Sequence, residues 1–397
     1  MKKYTIMDFL RDNSSPLGRL GGALYIHIPF CKQACFYCDF HFSTSLRNRD
    51  EMISCIIKEI ELRKNELNNA IIETIYFGGG TPSLLSISEI NSIIEAVYQF
   101  YEVDLSPEIT LEANPDDLSK EKILEISQSK INRLSIGIQS FFEHDLQLMN
   151  RAHSSIEAKK CLEIATQYFE NISIDLIYGI PDLTNEQWIK NIKTAFSFGI
   201  PHISSYALTV EPKTALESFI KKGIIKNVDD EKAQKQFYIL KEILEENQFI
   251  HYETSNFGKD GFFSKNNAGY WLGKSYLGIG PSAHSFDGNQ RSWNIRNNAK
   301  YIKSIQQDLL PIEREILTTI DKYNEYIMTG LRTIWGVSID KIKQNFGEKY
   351  ASYLAIQSQK YIEDELLIFE NGNLKTTKKG LFLSDGIASD LFMLNLS

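Results

Sequence analysis

No run of eighteen apolar residues occurs in this 397-residue chain, so no segment reads as a helix long enough to cross a bilayer. The opening stretch MKKYTIMDFLRDNSS lacks the apolar core of a secretory signal, which gives the expectation of a cytoplasmic protein. Basic residues are in deficit: 43 Lys and Arg stand against 51 Asp and Glu, a net charge of -8. That balance argues against a general affinity for polyanions, although a local basic groove stays compatible with it. Cysteine is scarce, at five residues, and three of the five crowd into positions 31 to 38. So few thiols make no disulfide framework, and such a cluster in a reducing compartment points to metal binding or catalysis. No GxGxxG follows the first candidate strand, which weakens a dinucleotide-binding reading. Internal repeats and low-complexity segments are also missing.

What is present suits one large domain, or a large one with a small one. ALYIHI, TIYFGG, EITLEA, RLSIGI, ISIDLI and HISSYAL read as six short buried strands. Between them lie helical patterns such as RDEMISCIIKEIELRKNEL, SISEINSIIEAVYQFY and TNEQWIKNIKTAFSFG. The alternation predicts βαβ units around a parallel sheet, and six units suit an incomplete barrel better than an open doubly wound sheet. The barrel is expected over residues 1–250. Residues 251–310, dense in Gly, Asn and aromatics, read as irregular structure wrapped over it. From residue 311 onward, helices followed by two apolar runs around an NGN turn suggest a small α+β, winged-helix-like domain reaching 397. That last part holds ten Lys or Arg against twelve Asp or Glu. Phosphate contacts supply most nucleic-acid affinity, so a lid packing over the barrel mouth is the preferred reading.

The unusual residues fall at strand C-termini, where ligands bind in parallel α/β folds. CKQACFYC spaces Cys31, Cys35 and Cys38 at i, i+4 and i+7. Three thiolates suit zinc or an iron–sulfur cluster, and His41 could complete a Cys3His zinc site. A four-iron cluster on three cysteines would instead keep one iron open and demand a partner for it. Gly78-Gly79-Gly80-Thr81-Pro82 after the second strand allows close backbone approach with N–H donors directed outward. Glu112, Gln139 and Asp175 lie at or near successive strand ends, and carboxylates in apolar runs are costly unless paired. Arg151 could meet a carboxylate in a fork. Cys55 and Cys161, alone in helical stretches, read as packed small hydrophobes.

YIHIPFCKQACFYCDF, with its C-x3-C-x2-C pattern, resembles the cluster loop of the radical S-adenosylmethionine (SAM) superfamily. More narrowly it resembles the branch that holds oxygen-independent coproporphyrinogen III oxidases and HemW haem chaperones. The likeness continues through YFGGGTPS, LEANP, RLSIGIQSF, LMNRAH, IDLIYGIP, SSYALTVEP and GIGPSAHSF. The resemblance implies an incomplete (β/α)6 barrel in which Cys31, Cys35 and Cys38 hold a [4Fe–4S] cluster whose fourth iron takes SAM. By matched position, Tyr25 and Tyr37 would flank that cofactor, and Gly79, Gly80 and Thr81 would hold its methionine amino end. Glu112, Gln139, Arg151 and Asp175 would line the remainder, with Ala207 near the adenine. His27 and Pro29 are expected to shape the strand exit.

Two positions separate the branches. The oxidases carry a further cysteine two residues after the third; here that residue is Phe40, as in the HemW branch. The chaperones carry H-N-x-x-Y-W, which here begins with Asn266, so the histidine is absent. An amide does not replace an imidazole on iron, and His251 and His284 are the nearest alternatives in sequence. The resemblance therefore implies a haem chaperone delivering haem to respiratory haemoproteins, with the acceptor at the inner face of a membrane and a homodimer admitted. An oxygen-independent coproporphyrinogen III oxidase is the enzymatic rival, and a nucleic-acid-modifying radical SAM enzyme the weaker third.

Overall fold

In the computed structural model, which describes residues 21–394, six parallel strands stand at the six apolar runs. They are β1 (Gly21–Ile28), β2 (Ile71–Gly79), β3 (Val103–Ala113), β4 (Arg133–Gln139), β5 (Ile172–Tyr178) and β6 (His202–Ala207). The helices between them are α1 (Arg49–Leu62), α2 (Ile87–Phe100), α3 (Lys120–Ser127), α4 (Glu143–Leu148), α5 (Ser155–Tyr168) and α6 (Asn185–Ser197). Helices α2, α5 and α6 begin with capping boxes, Ser86 with Glu89, Ser154 with Glu157 and Thr184 with Gln187, each satisfying two orphan N–H groups. The opening stretch used for the cellular expectation lies outside the described residues.

The central strands divide their side chains sharply. Ile109 and Leu111 of β3, Leu134, Ile136 and Ile138 of β4, and Ile172, Ile174 and Leu176 of β5 all join the main hydrophobic core under the helices. The alternate positions carry Glu108, Thr110 and Glu112, then Arg133, Ser135 and Gln139, then Ser173 and Asp175. Successive residues of a strand point to opposite faces, so this alternation gives the barrel a polar lumen. Buried polar groups need partners, and some find them on the neighbouring strand: Ser173 Oγ lies 2.6 Å from His202 Nδ1, and Ser204 Oγ donates to Asn256 Oδ1 at 2.7 Å.

Residues 251–310 depart from the expected irregular wrap. After α7 (Ala215–Lys221) and α8 (Asp230–Glu246) come β7 (Ile250–Glu253), β8 (Asn256–Gly258), α9 (Lys265–Trp271), β9 (Ser275–Ile279), β10 (His284–Phe286), β11 (Gln290–Asn294), α10 (Asn298–Gln306) and β12 (Ile312–Ile316). They extend both edges of one sheet, in the order β12-β11-β10-β9-β1-β2-β3-β4-β5-β6-β8-β7. Glycine misled the reading because it serves close backbone approach here: a Cβ on Gly278 would sit 2.1 Å from the His284 carbonyl oxygen, and one on Gly280 2.5 Å from that of His27. Among the described residues no ladder joins β7 to β12, so the barrel stays open.

The C-terminal part follows the winged-helix order: α11 (Thr319–Leu331), β13 (Val337–Ser338), α12 (Ile339–Phe346), α13 (Glu348–Glu363), then the hairpin β14 (Leu367–Glu370) and β15 (Asn373–Thr376), and α14 (Ser384–Asp390). It has its own core around Tyr323, Ile327, Leu354 and Leu374. The expected lid over the barrel mouth is not its place. It seats against β7 through Ile334 N to Tyr252 O at 3.1 Å and a Glu253–Thr333 bridge, and Arg332 lies over the Trp271 ring. No described residue beyond 311 lines either cavity described below.

Candidate functional site

The loop after β1 carries Cys31, Cys35 and Cys38, all half-buried and free, on the wall of a cavity of about 450 Å³ at the C-terminal ends of the strands. Thr81 Oγ1 donates to Cys31 Sγ at 3.4 Å, and Arg151 Nη1 to Cys35 Sγ at 3.2 Å. Burial pushes the Cys31 thiol up to about 11 against the Thr81 hydrogen bond, and burial also raises Cys38. Cys55 and Cys161 are buried away in the core, as expected.

The glycine turn works differently from its expectation. The Gly79 amide donates to Glu112 Oε2 at 3.2 Å, that of Gly80 to Ile28 O at 2.9 Å, and that of Thr81 to Phe30 O at 2.6 Å. These amides are therefore engaged within the protein and not directed at a ligand. Glycine is required because the exit of β1 occupies the space of a side chain: a Cβ on Gly80 would lie 2.5 Å from Phe30 O. Gly79 has φ +106°, and its missing side chain leaves room for the His27 ring. His27 in turn donates from Nε2 to His41 O at 2.9 Å, so it shapes the strand exit as expected. Burial holds its ring down at about 4, hence neutral.

Glu112 Oε1 accepts from Tyr76 OH at 2.8 Å, and burial pushes its carboxyl up to about 7; burial lifts Asp175 to about 6. Both face the cavity with Gln139, Ala207 and Tyr37. Gln139 takes a left-handed conformation, φ +66°, where β4 turns away. The Arg151 fork is turned onto the protein: besides Cys35, it reaches Tyr37 OH at 3.4 Å, Asn114 Oδ1 at 2.6 Å and Gly137 O at 3.0 Å. Asn114, expected only to close β3, is a hub, since its Nδ2 also donates to Thr81 Oγ1 at 3.3 Å.

Tyr25 does not line this cavity. It lines a second one, of about 460 Å³, which shares Asp39, Phe40, Gly79 and Glu112 with the first. His27, His41, Tyr270, Tyr276, Ser282, His284 and Arg296 complete its walls. His41 thus points away from the cysteines, its Nε2 2.7 Å from Asn298 Oδ1, and the Cys3His zinc alternative loses its fourth ligand. Among the described residues no three His, Cys, Asp or Glu side chains converge on one ion. Thiolates on different irons of a cubane do not need to, whereas one tetrahedral zinc does. Three half-buried thiols, two of them receiving side-chain hydrogen bonds, fit the cluster. His251 stacks on Phe257 at 4.0 Å, bonds Thr254 O at 3.1 Å and lines neither cavity.

The Radical SAM superfamily profile matches residues 25–195, and the HemN C-terminal domain profile residues 317–383. The haem chaperone HemW of Lactococcus lactis is 32% identical over 365 residues, covering 91% of this chain and 95% of that one. HemW of Bacillus subtilis is 33% identical, covering 91% and 94%. The coproporphyrinogen III oxidase HemN of Escherichia coli, described as a radical SAM enzyme, superposes with a TM-score of 0.82 at 20% identity, covering 98% and 93%. That last likeness shows the shared fold, barrel and C-terminal domain together.

Proposed function

The chain belongs to the HemW family of the radical SAM superfamily, and from that premise we propose that it carries haem to respiratory haemoproteins, holding a [4Fe–4S] cluster and SAM in the first cavity. The similarity to haem chaperones along nine-tenths of both chains carries this reading. Phe40, 69% exposed on the rim between the two cavities, agrees with it, because the oxidase branch has a cysteine at that position. On this reading the protein works in the cytoplasm and meets its acceptor at the inner face of a membrane.

Cys31, Cys35 and Cys38 would hold the cluster, and Arg151 and Thr81 would keep two of the thiolates oriented. The cluster would supply reducing power for SAM bound beside it. The chain's own contribution is electrostatic. Glu112 and Asp175, held partly protonated by burial, ionise readily against a cationic ammonium or sulfonium in the cavity. Gly79, Gly80 and Thr81 shape the wall, while Gln139 and Ala207 lie along the rest of it.

The test is anaerobic reconstitution with iron and sulfide, followed by parallel titration with haem and with coproporphyrinogen III. Haem binding with a shifted Soret band and no porphyrinogen turnover supports the carrier. Turnover to protoporphyrinogen would make the protein an oxidase lacking the extra cysteine and overturn it.

A further inference from the structure

None of the three clustered cysteines lines the second cavity, yet its walls are chemically selective. Tyr25, Tyr270 and Tyr276 give it aromatic surface, with Tyr270 and Tyr276 packed edge to face at 4.6 Å. Arg296, exposed at its rim, gives it a cation. Its volume of about 460 Å³ suits a flat aromatic ligand with an anionic edge. Three histidines line it, and a haem iron needs one axial imidazole, not three.

Hydrogen bonding separates the three. His27 has both ring nitrogens engaged, Nε2 with His41 O at 2.9 Å and Nδ1 with Tyr25 OH at 3.4 Å. Among the described residues His41 has only Nε2 engaged, on the Asn298 amide oxygen at 2.7 Å. A ligating histidine characteristically gives its other N–H to an oxygen acceptor, which fixes the tautomer and leaves the remaining nitrogen basic. Burial holds the His41 ring below the ordinary histidine range, so it is neutral and able to bind iron. His284 shares the wall but is exposed and makes no ring hydrogen bond among the described residues, so only its contact with the Trp293 ring at 6.0 Å orients it and neither tautomer is fixed.

Resting on the reading that this chain carries haem, we propose that the second cavity is the haem seat, with His41 as the axial ligand and Arg296 meeting a propionate. Aromatic faces would contact the macrocycle, and a guanidinium suits a carboxylate. A site with an exposed rim, beside Phe40 and Asp39, also suits a cargo that must leave.

The experiment uses the full chain, reconstituted anaerobically and titrated with ferric protoporphyrin IX, followed by absorbance and electron paramagnetic resonance. In His41→Ala, haem affinity is expected to fall by about tenfold or more, with iron–sulfur content and melting temperature kept. Added imidazole should restore the Soret position, which it would not do for a merely structural histidine. Asn298→Ala should weaken binding less, and His284→Ala should stay within about threefold of wild type. Unchanged spectra and affinity in His41→Ala would overturn the assignment, as would a loss confined to His284→Ala. Failure of the wild-type chain to bind haem at all would instead overturn the carrier reading on which it rests.

Discussion

Arg151 Nη1 stands 3.2 Å from Cys35 Sγ, while the same guanidinium holds Asn114 Oδ1 at 2.6 Å. One side chain thus ties the cluster loop after β1 to the end of β3. Lysine cannot reproduce a fork of this kind, because it offers one point charge. Arg151→Lys should retain the fold but bind iron weakly, keeping well under half of wild-type iron after anaerobic gel filtration. Arg151→Met also leaves Asn114 without its charged donor, at about 2 kcal/mol of stability. Iron content and denaturant midpoints check both, and wild-type iron retention in Arg151→Lys would disprove the positioning role.

Glu112 and Asp175 set a dependence on pH. Their folded-state values lie near 7 and 6, above the ordinary carboxylate range, because burial disfavours the charged form. Tyr76, the Gly79 amide, Arg133 and Asp175 act on Glu112, and Ser204, Arg133 and Arg151 on Asp175. The folded state therefore binds more protons than the unfolded one between about pH 4 and pH 7, and stability falls as pH rises across that window. Glu112 accounts for on the order of 3 kcal/mol of this. Glu112→Gln should flatten the slope and raise the melting temperature of the ligand-free protein at pH 7.5. Cationic SAM should bind wild type more tightly as pH rises from 5.5 to 7.5, and Glu112→Gln with less pH dependence. Calorimetric titration at several pH values decides it.

Gly80 and Gly199 offer a matched pair. A Cβ at Gly80 meets Phe30 O at 2.5 Å and Ile28 O at 2.8 Å, both backbone atoms of the strand that feeds the cluster loop. At Gly199, φ is +69° and a Cβ has nothing within 4 Å. Gly199→Ala should cost only the left-handed strain, about 1 kcal/mol. Gly80→Ala must part β1 from the β2 turn, so about 3 kcal/mol and loss of cluster retention are expected. Equal melting shifts for the two would show that the exit of β1 yields more easily than the contact implies.

The six central strands were legible because each pairs an apolar run with a turn and a helix, and local pattern suffices for that. Their polar face was not. Thr110, Ser135 and Ser173 look like minor interruptions until alternation assigns them to one lumen. The edge strands were missed because Gly278 and Gly280 serve backbone approach, which resembles a coil signal in sequence. The first cavity was legible, since one residue type per βα unit marks it. The second joins residues 25–41, Gly79 and Glu112 to residues 270–296, and the His41 contact with Asn298 spans 257 positions. Proximity to the cysteines made His41 look like their partner, when its side chain turns the other way.

The same logic bears on Asn266, which stands where the chaperones carry histidine. Restoring the imidazole looks like restoring a ligand, but the position is 1% exposed and lines neither cavity. Asn266 Oδ1 accepts from Thr74 Oγ1 at 2.9 Å, and its backbone amide donates to Glu108 Oε1 at 3.1 Å, fixing the first turn of α9 on β2 and β3. A larger ring there presses on Thr74 and should cost about 1–3 kcal/mol. Its effect on haem should be indirect at most, transmitted through Tyr270 one turn along the same helix. Asn266→His is therefore expected to melt a few degrees lower and to leave haem affinity within about threefold of wild type. Tenfold tighter binding with a new Soret position would instead place the iron against α9, and the seat would have to move from His41 to the helix.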